Sequence, residues 1–255
     1  MQSGIDVVHH STFLIAVCSL MQNALCPNCQ SFGSSAVEMV YHLPAKMKFA
    51  KGDCFHLKTY VPTPGVERRL KLDVRSLACL TAEQLLARHP RVSELARQLV
   101  RGVEVDESQG TIPLRVAELA SGLPKLVSQS EHKKEALALY SICTDSERNI
   151  WHIPMMDFRI ESGEDIGQLR LLKECVGKLK QTDGILLNSG NSYHYYGFQR
   201  LSHHEWVRFM TACLLLEPLV DVRYIAHRML AGKAALRLTK APEKNYEPKI
   251  VACLH

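Results

Sequence analysis

Reactive side chains gather in three short motifs of the C-terminal part: IPMMDFR (153–159), GNSYHYYG (190–197) and LVDVRYIAHRM (219–229). They offer a carboxylate (Asp157), a hydroxyl and an imidazole (Ser192, His194), and a second carboxylate beside an arginine (Asp221, Arg223). A site that handles nucleoside triphosphates needs that assortment: acids for a divalent cation, and neutral or cationic donors for phosphate oxygens.

Strand geometry decides which of these groups can meet. Side chains alternate along a strand, so Asp157, Arg159 and Glu161 share one face and Met156, Phe158 and Ile160 the other. Two-metal nucleotidyl transfer wants carboxylates close together, yet the position two residues after Asp157 is Arg159. Glu161 faces the same way but stands roughly 13 Å along the strand. Ser192 and His194 also share a face, where both can donate to phosphate oxygens. In Asp221–Val222–Arg223 an extended chain brings an acid and a base to one side, with His227, Arg228 and Arg237 beyond. An ordinary surface ion pair and a histidine bonded to a backbone carbonyl are the competing readings of these groups.

The elements around the motifs read as a regular series. Leu137–Thr144 and Ile150–Ile160 are predicted strands, Ile166–Leu179 an amphipathic helix, and Gly184–Leu187 with Tyr193–Phe198 a strand pair joined by a turn at Ser189–Asn191. His204–Leu216 is a second helix limited by Pro218, and Ala234–Thr239 a closing strand. In order this is β-α-β-β-α-β, the arrangement of a ferredoxin-like or RNA-recognition-motif fold.

The three motifs, in this order and on this pattern, resemble the archaeo-eukaryotic primase superfamily, in particular its compact primase–polymerase and primase 1D-like group. Asp157 and Arg159 match an acid-x-acid pair, Ser192-Tyr193-His194 matches Ser-x-His, and Val220-Asp221 matches an apolar residue followed by an acid. The separations are 37 residues from Asp157 to His194 and 27 from there to Asp221, and the resemblance covers about residues 137–240. It implies template-directed addition of nucleotides to DNA or RNA, with Asp157 and Asp221 as ligands of Mg²⁺ or Mn²⁺. Ser192 and His194, joined by Arg159 and Arg223, would bind the incoming nucleoside triphosphate, and Asp157, His194 and Asp221 would form the catalytic set.

Arg159 departs from that pattern, since a guanidinium cannot bind Mg²⁺ and repels a nearby cation. Two outcomes follow. Arg159 replaces one ion by touching the triphosphate, or the domain binds nucleotide or nucleic acid without transferring it.

The predicted fold is α+β: an RNA-recognition-motif-like core over 135–255 and an N-terminal accessory α/β segment over 1–134 packed on it. The polar stretch SQSEHKK (128–134) is the expected boundary. An apolar helix is expected near the N-terminus, short strands across Val37–Val61, a capping box at Thr81 and Gln84, and a helix over Thr111–Leu126 limited by Gly122 and Pro124.

The chain has 255 residues, 46% of them hydrophobic and 22% charged, which suits a soluble globular protein. Its net charge of +5 is compatible with nucleic acid without requiring it. Nine cysteines, an odd number without a compact secreted framework, suggest reduced thiols in a cytoplasmic protein. The apolar run Phe13–Met21 is too short for a membrane helix, which needs about 20 residues, and has no basic leader. Cys26, Cys29, Cys54 and His56 have partial zinc-knuckle spacing, with metal-free buried cysteines as the alternative. Tyr193, Tyr195 and Tyr196 are candidates for base stacking or for packing.

Overall fold

The computed structural model describes residues 35–61, 81–88, 110–160, 166–180, 183–242 and 244–254. The expected N-terminal helix and the Cys26–Cys29 pair lie outside these residues.

Along the chain run α1 (Ala36–Lys46), β1 (Cys54–Tyr60), α2 (Ala82–Arg88), β2 (Ile112–Arg115), α3 (Leu119–His132), β3 (Ala136–Thr144), β4 (Ile150–His152) and β5 (Met155–Asp157). Then follow α4 (Ile166–Lys178), β6 (Gly184–Asn188), β7 (Tyr193–Gly197), α5 (His203–Cys213), α6 (Val222–Leu230), β8 (Ala235–Arg237) and β9 (Lys249–Leu254). Local rules account for several boundaries. Thr81 and Gln84 form the expected capping box, each backbone N–H donating to the other's side chain. The same device starts α5, with Ser202 and Glu205, and α1, with Ser35 and Glu38.

The strands form two sheets rather than the single sheet expected. The first runs β2-β1-β3-β4, with β8 also on β3; the second runs β5-β7-β6-β9. The pairings are antiparallel. The expected strand 150–160 breaks at Pro154, which has no N–H to give a ladder. Upstream, His152 exchanges backbone hydrogen bonds with Leu201 and Ile153 donates to Ser141; beyond the proline, Met155–Asp157 pairs with β7 in the other sheet. The closing strand around residues 234–239 pairs with β3 of the first sheet, not with the second. The outer strand of the second sheet is β9, which carries little periodic signal and follows an irregular loop.

Other expectations also change. Part of Val37–Val61 is the helix α1, with Ala36, Met39, Val40 and Leu43 on its buried face. Thr111–Leu126 begins as β2, and α3 passes through Gly122 and Pro124 to His132. The polar stretch 128–134 is therefore the end of a helix, and β1 of the N-terminal part pairs with β3 beyond it. The overall class remains α+β. Trp206 and all three of Tyr193, Tyr195 and Tyr196 are buried, so these tyrosines pack and offer no face to bases. Cys253 is disulfide-bonded, contrary to the expectation of reduced thiols throughout. Among the described residues no helix is long and apolar enough to cross a membrane.

Candidate functional site

Register brings the sequence motifs together. Asp157, the last residue of β5, pairs directly with His194 of β7. On its other side Phe158 bridges Val220, and Arg159 N–H donates to the Leu219 carbonyl at 2.7 Å. In an antiparallel bridge the residue before Phe158 faces the residue after Val220. This places Asp221 near Asp157, although the bridge is isolated and its ladder does not continue.

Ser192 precedes β7 and reaches back along the same face. Its hydroxyl donates to Asp157 Oδ1 at 3.1 Å and lies 3.1 Å from the Ser189 hydroxyl. His194 Nε2 is 3.8 Å from the same Oδ1, beyond hydrogen-bonding range, and His194 Nδ1 is buried without a hydrogen-bond partner among the described residues.

Burial sets the charge states here. It pushes the Asp157 carboxyl up to about 7; Asp221 adds to the rise, while the Ser192 hydrogen bond and the Lys244 and Arg228 charges oppose it. A third of the side chain, 33%, stays open to the cleft, so water or a cation entering there restores the anion. Burial, then Arg237 and Lys244, pushes the His194 imidazole down to about 3. At neutral pH the ring is uncharged, and its proximity to Asp157 is not an ion pair.

Asp157, Ser192 and His194 line a cleft of about 390 Å³ between the two sheets. That volume lies within the range of small-molecule sites, roughly 300–1,000 Å³. The opposite wall comes from the first sheet: Lys58 and Tyr60 of β1, Ala138 of β3, and Ala235 to Arg237 of β8. Tyr224 and Arg228 of α6, with Lys244 of the following loop, complete it.

Among the described residues four cations line this cleft, Lys58, Arg228, Arg237 and Lys244, against one carboxylate, Asp157. Arg237 is buried and stapled to backbone: its guanidinium donates to the carbonyls of Thr239, Tyr246 (2.6 Å) and Ser189 (2.9 Å). It ties β8 to the turn beside Ser192 and acts on the cleft as a fixed charge. Arg228 stacks over the Tyr224 ring at 5.1 Å, and its Nε is buried without a hydrogen-bond partner among the described residues.

The remaining sequence candidates fall elsewhere. Asp221 caps α6, its Oδ1 accepting from the N–H groups of Arg223 (2.9 Å) and Tyr224 (3.1 Å). Neither Arg159 nor Arg223 lines the cleft. Cys54 and His56 share a face of β1, where His56 Nε2 is 3.2 Å from the Thr144 hydroxyl. Among the described residues no group of three or more His, Cys, Asp or Glu is placed to hold a metal ion. Sequence reasoning noticed Arg228 and Arg237 as basic groups suited to phosphate but did not select them, and it passed over Lys58 and Lys244. These four are scattered along the chain and share no motif.

For a divalent cation the protein donors are few. Among the described residues Asp157 is the one carboxylate lining the cleft, and Asp221 already serves the helix. The set suits an ion that brings its own oxygens, as Mg²⁺ does with a polyphosphate, and not a self-sufficient protein cage.

The Asp157–Ser192–His194 grouping thus stands at a cleft between the two sheets of an α+β domain. The AEP-like family, described as archaeo-eukaryotic primase 1D-like, matches residues 116–251, and the chain belongs to that family. No curated protein and no solved structure matches it. Membership suggests nucleotidyltransferase function at the level of the family. The matched span holds β3 to β8 and the first half of β9, whereas Lys58 and Tyr60 come from β1, outside it.

Proposed function

We propose that the cleft binds a nucleoside triphosphate and that the chain is a primase–polymerase-like nucleotidyltransferase, adding nucleotides on a DNA or RNA template. The observation that carries this reading is Asp157 paired with His194 and bonded by Ser192, at the wall of a cleft holding four cations. The neutral imidazole and Ser192 are short-range donors to phosphate oxygens, and the cations supply the field that holds a polyanion. Asp157, with Asp221 behind it, would hold a Mg²⁺ or Mn²⁺ ion brought by the triphosphate, and that ion would supply charge neutralisation during transfer. The sheltered cleft strengthens each of these interactions by excluding bulk water.

A second reading, binding without transfer, is favoured by Arg159 in place of a second acid and by the capping duty of Asp221. Incorporation of labelled nucleotides with Mn²⁺, on primed and unprimed templates, separates the two when run beside calorimetric titration with the triphosphate. The first reading expects product from the native chain and none from Asp157→Asn, with triphosphate affinity in that variant unchanged or tighter because the one acid facing four cations is gone. Binding without product in the native chain selects the second reading, and no binding removes both.

A further inference from the structure

Cation placement suggests how the ligand is captured, an inference that rests on the triphosphate reading above. A site that recruits its nucleotide through bound metal presents surplus negative charge to the ion; among the described residues this cleft presents the reverse, one carboxylate and four cations. Two of those cations are partly or wholly committed and a third is exposed. Arg237 is bound to three carbonyls. Lys58 lies 5.0 Å from the Tyr60 ring centroid and 5.5 Å from that of Tyr140. Lys244 stands at the exposed rim. Arg228 differs: it lines the cleft, Tyr224 braces its guanidinium, and its Nε–H is buried with no acceptor among the described residues. A buried orphan N–H is costly, and a small shift of the guanidinium toward an anionic oxygen in the cleft would satisfy it.

We propose that the cleft captures the triphosphate group by its own cations, without a divalent metal, and that Arg228 is the principal grip. Any metal then serves the transfer step and not the binding step. Lys58, from outside the family-matched span, adds long-range attraction.

Titration calorimetry on the full chain tests this, with the nucleoside triphosphate in EDTA and again with Mn²⁺. Affinity in EDTA should stay within about tenfold of the Mn²⁺ value, fall in order through diphosphate and monophosphate, and be competed by inorganic tripolyphosphate. Arg228→Ala should weaken triphosphate binding about ten- to a hundredfold, as loss of a charge-assisted bond does. Arg228→Lys should recover part of that loss, and binding of the unphosphorylated nucleoside should not change. A loss beyond tenfold in EDTA overturns metal-free capture for the native chain, independently of how any variant folds. Equal weakening of nucleoside and triphosphate by Arg228→Ala, or an unchanged triphosphate affinity, removes Arg228 from the role. If the triphosphate binds under neither condition, the functional reading fails and takes this inference with it; binding with Mn²⁺ alone leaves that reading standing and overturns only this one.

Discussion

Asp157 is the residue through which pH reaches the site. Its carboxyl is raised to about 7, so the folded chain holds a proton that the unfolded chain releases near the ordinary value of 3.8. An acid raised in this way contributes stability that is fully present below the unfolded value and is lost as pH climbs through the folded one. Between pH 4 and 7 the native chain therefore loses stability relative to Asp157→Asn. With a third of the side chain open to solvent the effect is modest: a melting point about 2–4 °C higher for the variant at pH 8, vanishing near pH 4, for roughly 1 kcal/mol. Parallel melting curves across that window check it. His194 acts in the opposite sense. Its imidazole is lowered to about 3, so its contribution is present above the ordinary histidine value of 6.5 and fades as pH falls from there toward 3. A His194→Asn variant should lose that acid-side slope.

At the scale of the element, Asp221 joins chemistry to architecture. Its carboxylate satisfies two N–H groups at the start of α6, and α6 carries Tyr224 and Arg228 into the cleft. Asp221→Ala should cost about 1 kcal/mol of stability, as loss of an N-cap does. Asp221→Asn keeps a capping oxygen and should restore that stability. If the Asn variant melts like the native chain yet makes no product, the acid does more than cap. Gly190 sets the turn between β6 and β7 in a similar way. Its φ is +101°, and a Cβ there would meet Tyr246 Cβ at 2.7 Å. Gly190→Ala is expected to destabilise by about 1–3 kcal/mol through backbone strain. It should also weaken triphosphate binding, because the same turn carries Ser189, Asn191 and Ser192; calorimetry and melting on one preparation read both effects.

For the molecule as a whole, the two sheets make the site by facing each other, and Arg237 is one of the bonds that hold them there. It spans β8 of the first sheet, the Ser189 carbonyl of the second and the Tyr246 carbonyl of the loop between β8 and β9. Arg237→Met removes the charge and leaves those carbonyls unpaired. That should cost about 2–4 kcal/mol, a fall in melting point of roughly 5–15 °C. Arg237→Lys keeps the charge but cannot reproduce three directed bonds, so it should recover triphosphate affinity better than stability. Comparable recovery of both would mean that charge alone holds the joint.

Much of the core was legible in residue order. Helix α4 follows from apolar spacing, α5 from the helical run that Pro218 limits, and the β6–β7 hairpin from two apolar runs around Ser189–Asn191. Asp157, Ser192 and His194 follow from alternation on strands, because those rules act over a few residues. What tertiary structure decided lies between segments remote in sequence. Pro154 divides one apolar run between two sheets, and no local rule states which partner each half chooses. β9 replaces the expected closing strand because the second sheet takes its edge from beyond the loop. Lys58, Arg228, Arg237 and Lys244 share a cleft with no shared spacing, since charge acts through space and leaves no period along the chain. Asp221 reads in sequence as a metal ligand or half of a surface ion pair, and only the direction of the chain after it makes it also a helix cap.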